Sequence, residues 1–295
     1  MTKGNNINSF ESETIDYELE DFEIIGNDLF AVAVPFGSQP EFKRRVLAGA
    51  ASYHLQLRSI DYALKAYGSN WKFPEKPAKE QQLLKEMHCH VKEHIEEAIR
   101  KIDEIDDKPD RVGLVTAEAA LVRLKSSFRV AGMLIKRGFN FEALNICRLI
   151  LEQIAWAYNI HEVTDKSIFK ILPTKCIRKL TSLYPKSGYL YGLLSEYVHI
   201  SPYLAPTYVK FAEDRLHIIL SSIEDSPSSM YILLFLADIY SVVSEYIYKD
   251  LTTNFSNLVR DANGNYRVNE SRKFLRKLAH YKALQNRSKA LKTKN

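Results

Sequence analysis

The chain predicts an all-α fold, a multi-helix bundle with a small β-hairpin insertion, on three observations. Seven or eight segments carry apolar residues at spacings of three and four. Short breaks rich in Gly, Pro, Asn and Ser separate them. One segment, 140–161, is apolar around most of its circumference, which marks a helix at the centre of its bundle. With 46% hydrophobic and 26% charged residues among 295, the chain has ample material for a core, which excludes wholesale disorder. That length suits one large domain or two smaller ones.

Residues 1–20 are polar and acidic. Residues 22–36 alternate enough apolar side chains around Gly26-Asn27-Asp28 to form a short strand pair or an extended packing arm. A helix is expected from Pro40 to Tyr67, with Phe42, Val46, Ala50, Tyr53, Leu57, Ile60 and Leu64 on one face. Pro74 and Pro77 frame a linker. A second helix, 78–106, shows one apolar stripe through Leu84, Met87, Val91, Ala98 and Ile102. A third spans 116–137 and ends at Lys136-Arg137-Gly138, a base-then-glycine stop. The fourth is 140–161. A fifth, 165–183, breaks at Pro173. Pro185 to Gly188 reads as a turn before a short helix, 189–199. Residues 207–221 read as a β-hairpin around Glu213-Asp214 or as a helix. Ser226-Pro227 starts a long helix, 227–253. Asp261 to Asn265 is a loop, and a last helix covers 268–291. Grouped, these give an acidic arm (1–38), a helical pair (39–110), a helical core domain (111–255) and a basic tail (256–295).

Three cysteines without Cys-x-x-Cys spacing point to a reducing compartment. The N-terminus lacks the basic-then-apolar form of a signal peptide. The longest apolar run, Met230 to Val243, is interrupted by Asp238 and is shorter than the about 20 residues a bilayer needs. A cytoplasmic protein without a membrane partner is expected.

The formal net charge of +5 is unevenly spread. Residues 1–30 hold eight acids and one base; residues 256–295 hold eleven bases and two acids. Such a basic tail can bind phosphate backbones. It can equally pair with an acidic segment of the same chain or of a partner subunit, or be a solvated helix end. Arg272, Lys273, Arg276 and Lys277 form its densest cluster.

The fourth helix carries a polar stripe. Asn145, Arg148, Glu152 and Asn159 share one face, and Arg148 and Glu152 stand at i, i+4. The short helix supplies Tyr191, Ser195 and His199 four apart, with Glu196 alongside. If the two faces meet, His199 could act as acid or base near neutral pH, and Arg148 could stabilise phosphoryl charge. The other reading of the same residues is a hydrogen-bond network that fixes the core. Six tyrosines between Tyr184 and Tyr208 either line a pocket, stack bases, or sit at a core edge or interface.

The pattern Arg148-x-x-x-Glu152, followed by Leu194-Ser195-x-x-x-His199, resembles a group of uncharacterised bacterial all-helical proteins. It also resembles the HEPN-type helical domains of toxins and phage-defence ribonucleases. The resemblance covers about residues 115–255. It implies a helical homodimer, a metal-independent endoribonuclease site at the dimer interface, and a role in abortive infection, an antiviral defence; separately, the sequence gives no reason to expect a cofactor. HEPN ribonucleases carry Arg and His on one helix with four to six residues between them. Here Arg276 and His280 have three between, and Arg148 and His199 lie on different helices.

His88, Cys89, His90 and His94 form a metal-like cluster. Helical geometry sets His88 and His90 about 200° apart and leaves only His90 and His94 on a shared face. Gly-x-Gly-x-x-Gly, Walker A and Gly-x-Ser-x-Gly patterns are absent from the sequence. Two functions follow as expectations: a HEPN-like protein that binds RNA or a nucleotide and cleaves RNA, or a non-catalytic helical subunit of a larger complex.

Overall fold

The structure, a computed structural model, describes residues 22–26, 29–35, 38–73, 79–199, 202–212 and 215–292. The acidic stretch 1–21 and the linker 74–78 lie outside the described residues. Among the described residues the all-α, multi-helix architecture holds, with three two-stranded antiparallel ribbons added. The chain divides into two compact units, 1–79 and 80–295.

In the first unit, β1 (Phe22–Gly26) pairs with β2 (Ala31–Pro35), setting Phe22 opposite Pro35. Gly26 has φ +143°, and a Cβ there would stand 2.2 Å from the Phe30 carbonyl oxygen, so the turn requires glycine. The ribbon packs on α1 (Pro40–His54) through Ile25, Phe30, Val34, Leu47 and Ala51. The Lys43 ammonium lies 2.6 Å from Glu23. The helix expected over Pro40–Tyr67 is two. Gln56 takes φ +48°, which ends α1. Ser59 then caps α2 (Ile60–Tyr67) by accepting the Tyr62 N–H at 3.1 Å.

The second unit holds α3 (Lys79–Asp103), α4 (Val112–Lys136), α5 (Asn140–Ile160), α6 (Pro173–Leu183), α7 (Lys186–Val198), the single turn α8 (Ala205–Tyr208), α9 (Ser226–Tyr246) and α10 (Lys273–Lys292). As its apolar circumference predicts, α5 is central and packs on α4, α6, α7 and α9. A boundary near 110 is not where the chain divides. Leu84, Met87, Val91, Ile95 and Ile102 of α3 belong to the same core as α4, α5 and α9. Gly113 lets α4 start against the end of α5. Its N–H donates to the Val163 carbonyl at 3.0 Å, and a Cβ there would sit 2.2 Å from the Ile160 carbonyl oxygen.

The expected hairpin forms as β3 (Val209–Ala212) with β4 (Arg215–Ile218). A further ribbon, β5 (Leu258–Arg260) with β6 (Tyr266–Val268), flanks the loop read at Asp261–Asn265. It delays the last helix to Lys273. The turn expected at Pro185–Gly188 is instead the first turn of α7, because proline is tolerated at a helix start. By length and composition α9 is long and apolar enough to cross a membrane, with mean hydropathy 1.4, which corrects the shorter run read from sequence. Here 78% of that stretch is buried among the other helices.

One charged group is buried inside this apolar helix. Asp238 is fully buried on α9 and receives both arms of Arg272, Nε at 2.8 Å and Nη2 at 2.5 Å. The Tyr184 hydroxyl donates to the same carboxylate at 2.5 Å. The remaining arm of Arg272 donates to the Asn269 carbonyl at 2.8 Å. Each buried polar atom of this triad therefore has a partner, which a buried ion pair needs. Arg272 is thus a core clamp at the entry to α10 and is not available as a surface binding residue.

Replacing Asp238 by Ala leaves the Arg272 guanidinium buried without a counter-ion. We expect a loss of about 3–5 kcal/mol, measured by urea unfolding. Arg272→Met alone strands the buried Asp238 carboxylate and should cost a similar amount, whereas Arg272→Met combined with Asp238→Leu, which removes both charges and keeps the bulk, should cost less.

Candidate functional site: the groove between α5 and α7

The polar stripe of α5 faces α7. Near the start of α5 the Phe141 ring lies 5.9 Å from that of Tyr197, near the end of α7. Farther along α5, Arg148 meets Tyr191, earlier on α7. The two helices therefore run antiparallel. Arg148 Nη2 donates to the Tyr191 hydroxyl at 3.0 Å, and its guanidinium stands 5.1 Å from the same ring. Arg148 Nε lies 3.0 Å from Glu152 Oε1, and the two side chains are 15% and 19% exposed. Partial burial works against the Arg148 charge, but Tyr191 and Glu152 outweigh it and raise the pKa.

Arg148 and Glu152 thus pair as their spacing predicts, and Tyr191 meets Arg148 across the groove. Asn145 lies on the same stripe, half-buried, with Oδ1 enclosed and without a hydrogen-bond partner. The other three residues do not join them. Ser195 spends its hydroxyl on the Tyr191 carbonyl at 2.7 Å, inside its own helix. Glu196 and His199 are exposed. His199 caps α7 through its backbone, eight residues past Tyr191 and so about 12 Å along the axis. Among the described residues, no hydrogen bond or ion pair links His199 or Ser195 to Arg148 or Glu152. The expected four-residue catalytic set is therefore not assembled; the i, i+4 spacing that lines it up along α7 also spreads it along the axis.

At the N-terminal end of α5 the groove opens into a cavity of about 230 Å³. Phe141, Tyr197 and Tyr208 wall it, with the Tyr208 ring 6.0 Å from Phe141. Its floor joins distant segments. Asn140 Nδ2 donates to the Ser222 carbonyl at 2.6 Å and to Gly138 at 3.1 Å, and the Ser222 N–H returns a bond to Gly138 at 2.9 Å. Asn140 Oδ1 is enclosed and has no partner. At the rim, Asp225 accepts the Ser222 hydroxyl at 2.7 Å. Burial, then the charges of Asp225 and Glu196, raise the Tyr197 pKa. Of this site the sequence shows only the tyrosine crowding; the turn after Gly138 and the approach of Ser222 are long-range features.

On α10, Phe274, Leu278 and Tyr281 face the core, while Arg276, Lys277 and Lys282 are exposed. The Lys273 side chain lies outside the described residues. Lys277 Nζ stands 3.0 Å from His90 Nδ1, and Glu93 Oε2 is 3.0 Å from the same nitrogen. His94 instead stacks on Phe274, centroids 4.0 Å apart, so the His90–His94 pair has separate neighbours. Cys89 is exposed. His88 is buried. Among the described residues, no three His, Cys, Asp or Glu side chains are grouped for a metal ion.

Sequence reasoning missed His161, which is 2% exposed. Its Nδ1 lies 2.7 Å from the Tyr158 carbonyl and its Nε2 3.3 Å from Lys249 Nζ. Lys249 also donates to Glu162 at 2.7 Å and lies over the Tyr246 ring at 4.6 Å. An Nδ1–H that donates to Tyr158, with Nε2 accepting from Lys249, describes a neutral imidazole.

No protein-family model matches this chain, and neither does any curated protein or solved structure.

Burial first, then nearby lysines, push His161 down to about 4. Burial does the same to His94, also to about 4, against the opposing pull of Asp238 and Glu97. Both groups have lower folded than unfolded pKa values, so the unfolded chain gains protons first on acidification. Stability is full above pH 6.5 and falls as the pH drops towards 4. For His161 the loss by pH 5 is on the order of 2 kcal/mol. Urea midpoints at pH 7, 6 and 5 measure this in a range where carboxylates stay ionised. An unchanged midpoint would contradict the neutral-imidazole assignment.

Proposed function

We propose that this protein is a HEPN-like, all-helical binding protein of the bacterial toxin or phage-defence kind, whose ligand is RNA or a nucleotide. One observation carries the reading. The 20-residue helix α10 contains seven basic residues and no acid, and it is fixed to its unit by three buried side chains and the Arg272 clamp. A solvated tail has no need of such anchoring. A helix held on one face leaves Arg276 pointing away from the core and Lys277 and Lys282 exposed on its two flanks, where they can meet phosphates. The α5–α7 groove adds Arg148, with Tyr191, Tyr197 and Tyr208 as surfaces on which bases can stack.

Binding, rather than cleavage, is the activity proposed. Ser195 is committed to its own helix, and His199 stands about two turns beyond the Arg148 contact.

The test is fluorescence anisotropy of a labelled single-stranded RNA. Joint replacement of Arg276, Lys277 and Lys282 by Glu should weaken binding at least tenfold at 0.1 M salt. It should also flatten the log–log salt dependence by about 0.7 per lost phosphate contact. Equal affinity of the variant and the parent would remove α10 from the interface. RNA integrity read in the same samples, with Arg148→Ala and His199→Ala alongside, separates binding from cleavage.

A second reading, an interaction subunit, is favoured by the first unit. It leaves Leu29, Tyr53 and Ile24 mostly exposed, at 75%, 82% and 62%. Such apolar exposure on a small unit suits a protein partner.

A further inference from the structure

The cavity at the start of α5 has a chemistry of its own, and its floor is fixed before any ligand arrives. We propose that it is a base-binding subsite, which takes a single unstacked nucleobase as a neutral planar ring carrying N–H donors. This rests on the nucleic-acid reading above and names the part of the ligand held there.

Four observations select this class of ligand. Three aromatic rings wall the space, and Phe141 meets both tyrosines edge-on, at interplanar angles of 64° and 74°. Walls of this kind receive flat apolar faces. Asn140 Oδ1 is enclosed and lacks a donor, although its amide nitrogen makes two hydrogen bonds that fix the side chain. Those two bonds hold the floor rigid, and the oxygen, being enclosed, is not itself open to a ligand. Asp225, exposed at the rim, is the acceptor that an exocyclic amine or ring N–H can reach.

The third observation concerns charge. Among the described residues the lining holds no Lys or Arg, so an anion would meet the Asp225 carboxylate with only the helix N-termini to offset it. A small cation is also poorly placed, because α5 and α9 both begin here and present the positive ends of their dipoles. A neutral ring with donors meets neither objection.

The fourth is size. At about 230 Å³ the cavity falls below the roughly 300–1,000 Å³ of sites for drug-sized ligands, so it has room for a ring system but not for a whole nucleotide. The rest of the nucleotide would lie in the groove. Arg148 stands seven residues beyond Phe141 on the same face, about 10 Å along the helix, where an attached phosphate would extend.

The experiment is isothermal titration of the full chain with guanosine, adenosine, cytidine and uridine, their 5′-monophosphates, a short single-stranded RNA, and cadaverine. The amine-bearing nucleosides should bind saturably, and the monophosphates more tightly. Tyr208→Ala removes one wall and Thr207→Trp fills the mouth from an exposed position. Each should weaken nucleoside binding at least tenfold, the loss expected for one stacked ring. A circular-dichroism melt matching the parent shows that each variant is folded. If RNA binds and depends on α10 while nucleosides do not bind, the subsite is overturned and the nucleic-acid reading stands. If neither RNA nor nucleoside binds, both fall. Saturable cadaverine binding that Thr207→Trp abolishes, without nucleoside binding, would also overturn the base assignment.

Discussion

The bidentate pair between Arg272 and Asp238 organises the second unit. Asp238 is the one carboxylate in an otherwise apolar stretch of α9, and Arg272 approaches it from the residue just before α10. Tyr184, at the corner between α6 and α7, closes the third side. Three segments far apart in sequence are therefore held in one register by a single buried charge. Hydrophobic packing alone tolerates small slides of one helix on another. A carboxylate that must receive two guanidinium arms and a phenol does not. The cost of burying these charges is met by the geometry, and the arrangement suits a role in specificity more than in net stability. Tyr184 immediately precedes the turn into α7, so the same pair helps set where α7 lies against α5.

The charges divide along similar lines. The groove between α5 and α7 is close to neutral, because Glu152 stands against Arg148. The surplus positive charge belongs to α10 and its flanks. In the proposed reading these regions act differently. The helix attracts a polyanion over a distance set by the salt concentration, and the groove reads what arrives at contact range. His90 and Glu93 border Lys277, so α3 partly tempers the charge on that flank of α10.

Much of the fold was legible because it is written in short-range periodicity. The apolar circumference of 140–161 places α5 at the centre, and Arg148 and Glu152 pair as their spacing requires. The hairpin at 209–218 follows from alternation around a turn. What could not be read depends on long-range contact. Arg272 looks like part of a basic cluster until Asp238, thirty-four residues earlier, is seen to face it. His161 has no sequence pattern; its burial and its lysine neighbour come from the approach of α9. The helix at 40–67 breaks because Gln56 turns back and Ser59 recaps, although the apolar spacing runs through both. His199 is the opposite case, a residue that pattern alone makes prominent and that the fold leaves at a solvent-facing helix end.

The floor of the aromatic cavity carries a consequence for how the chain folds. Asn140 and Ser222 are eighty-two residues apart, and their bond closes the cavity only when the start of α9 has come back to the start of α5. That contact belongs to the packing of α9 on α5, so no single helix builds the cavity floor. A ligand that occupies the cavity would bind only the completed unit and would stabilise it.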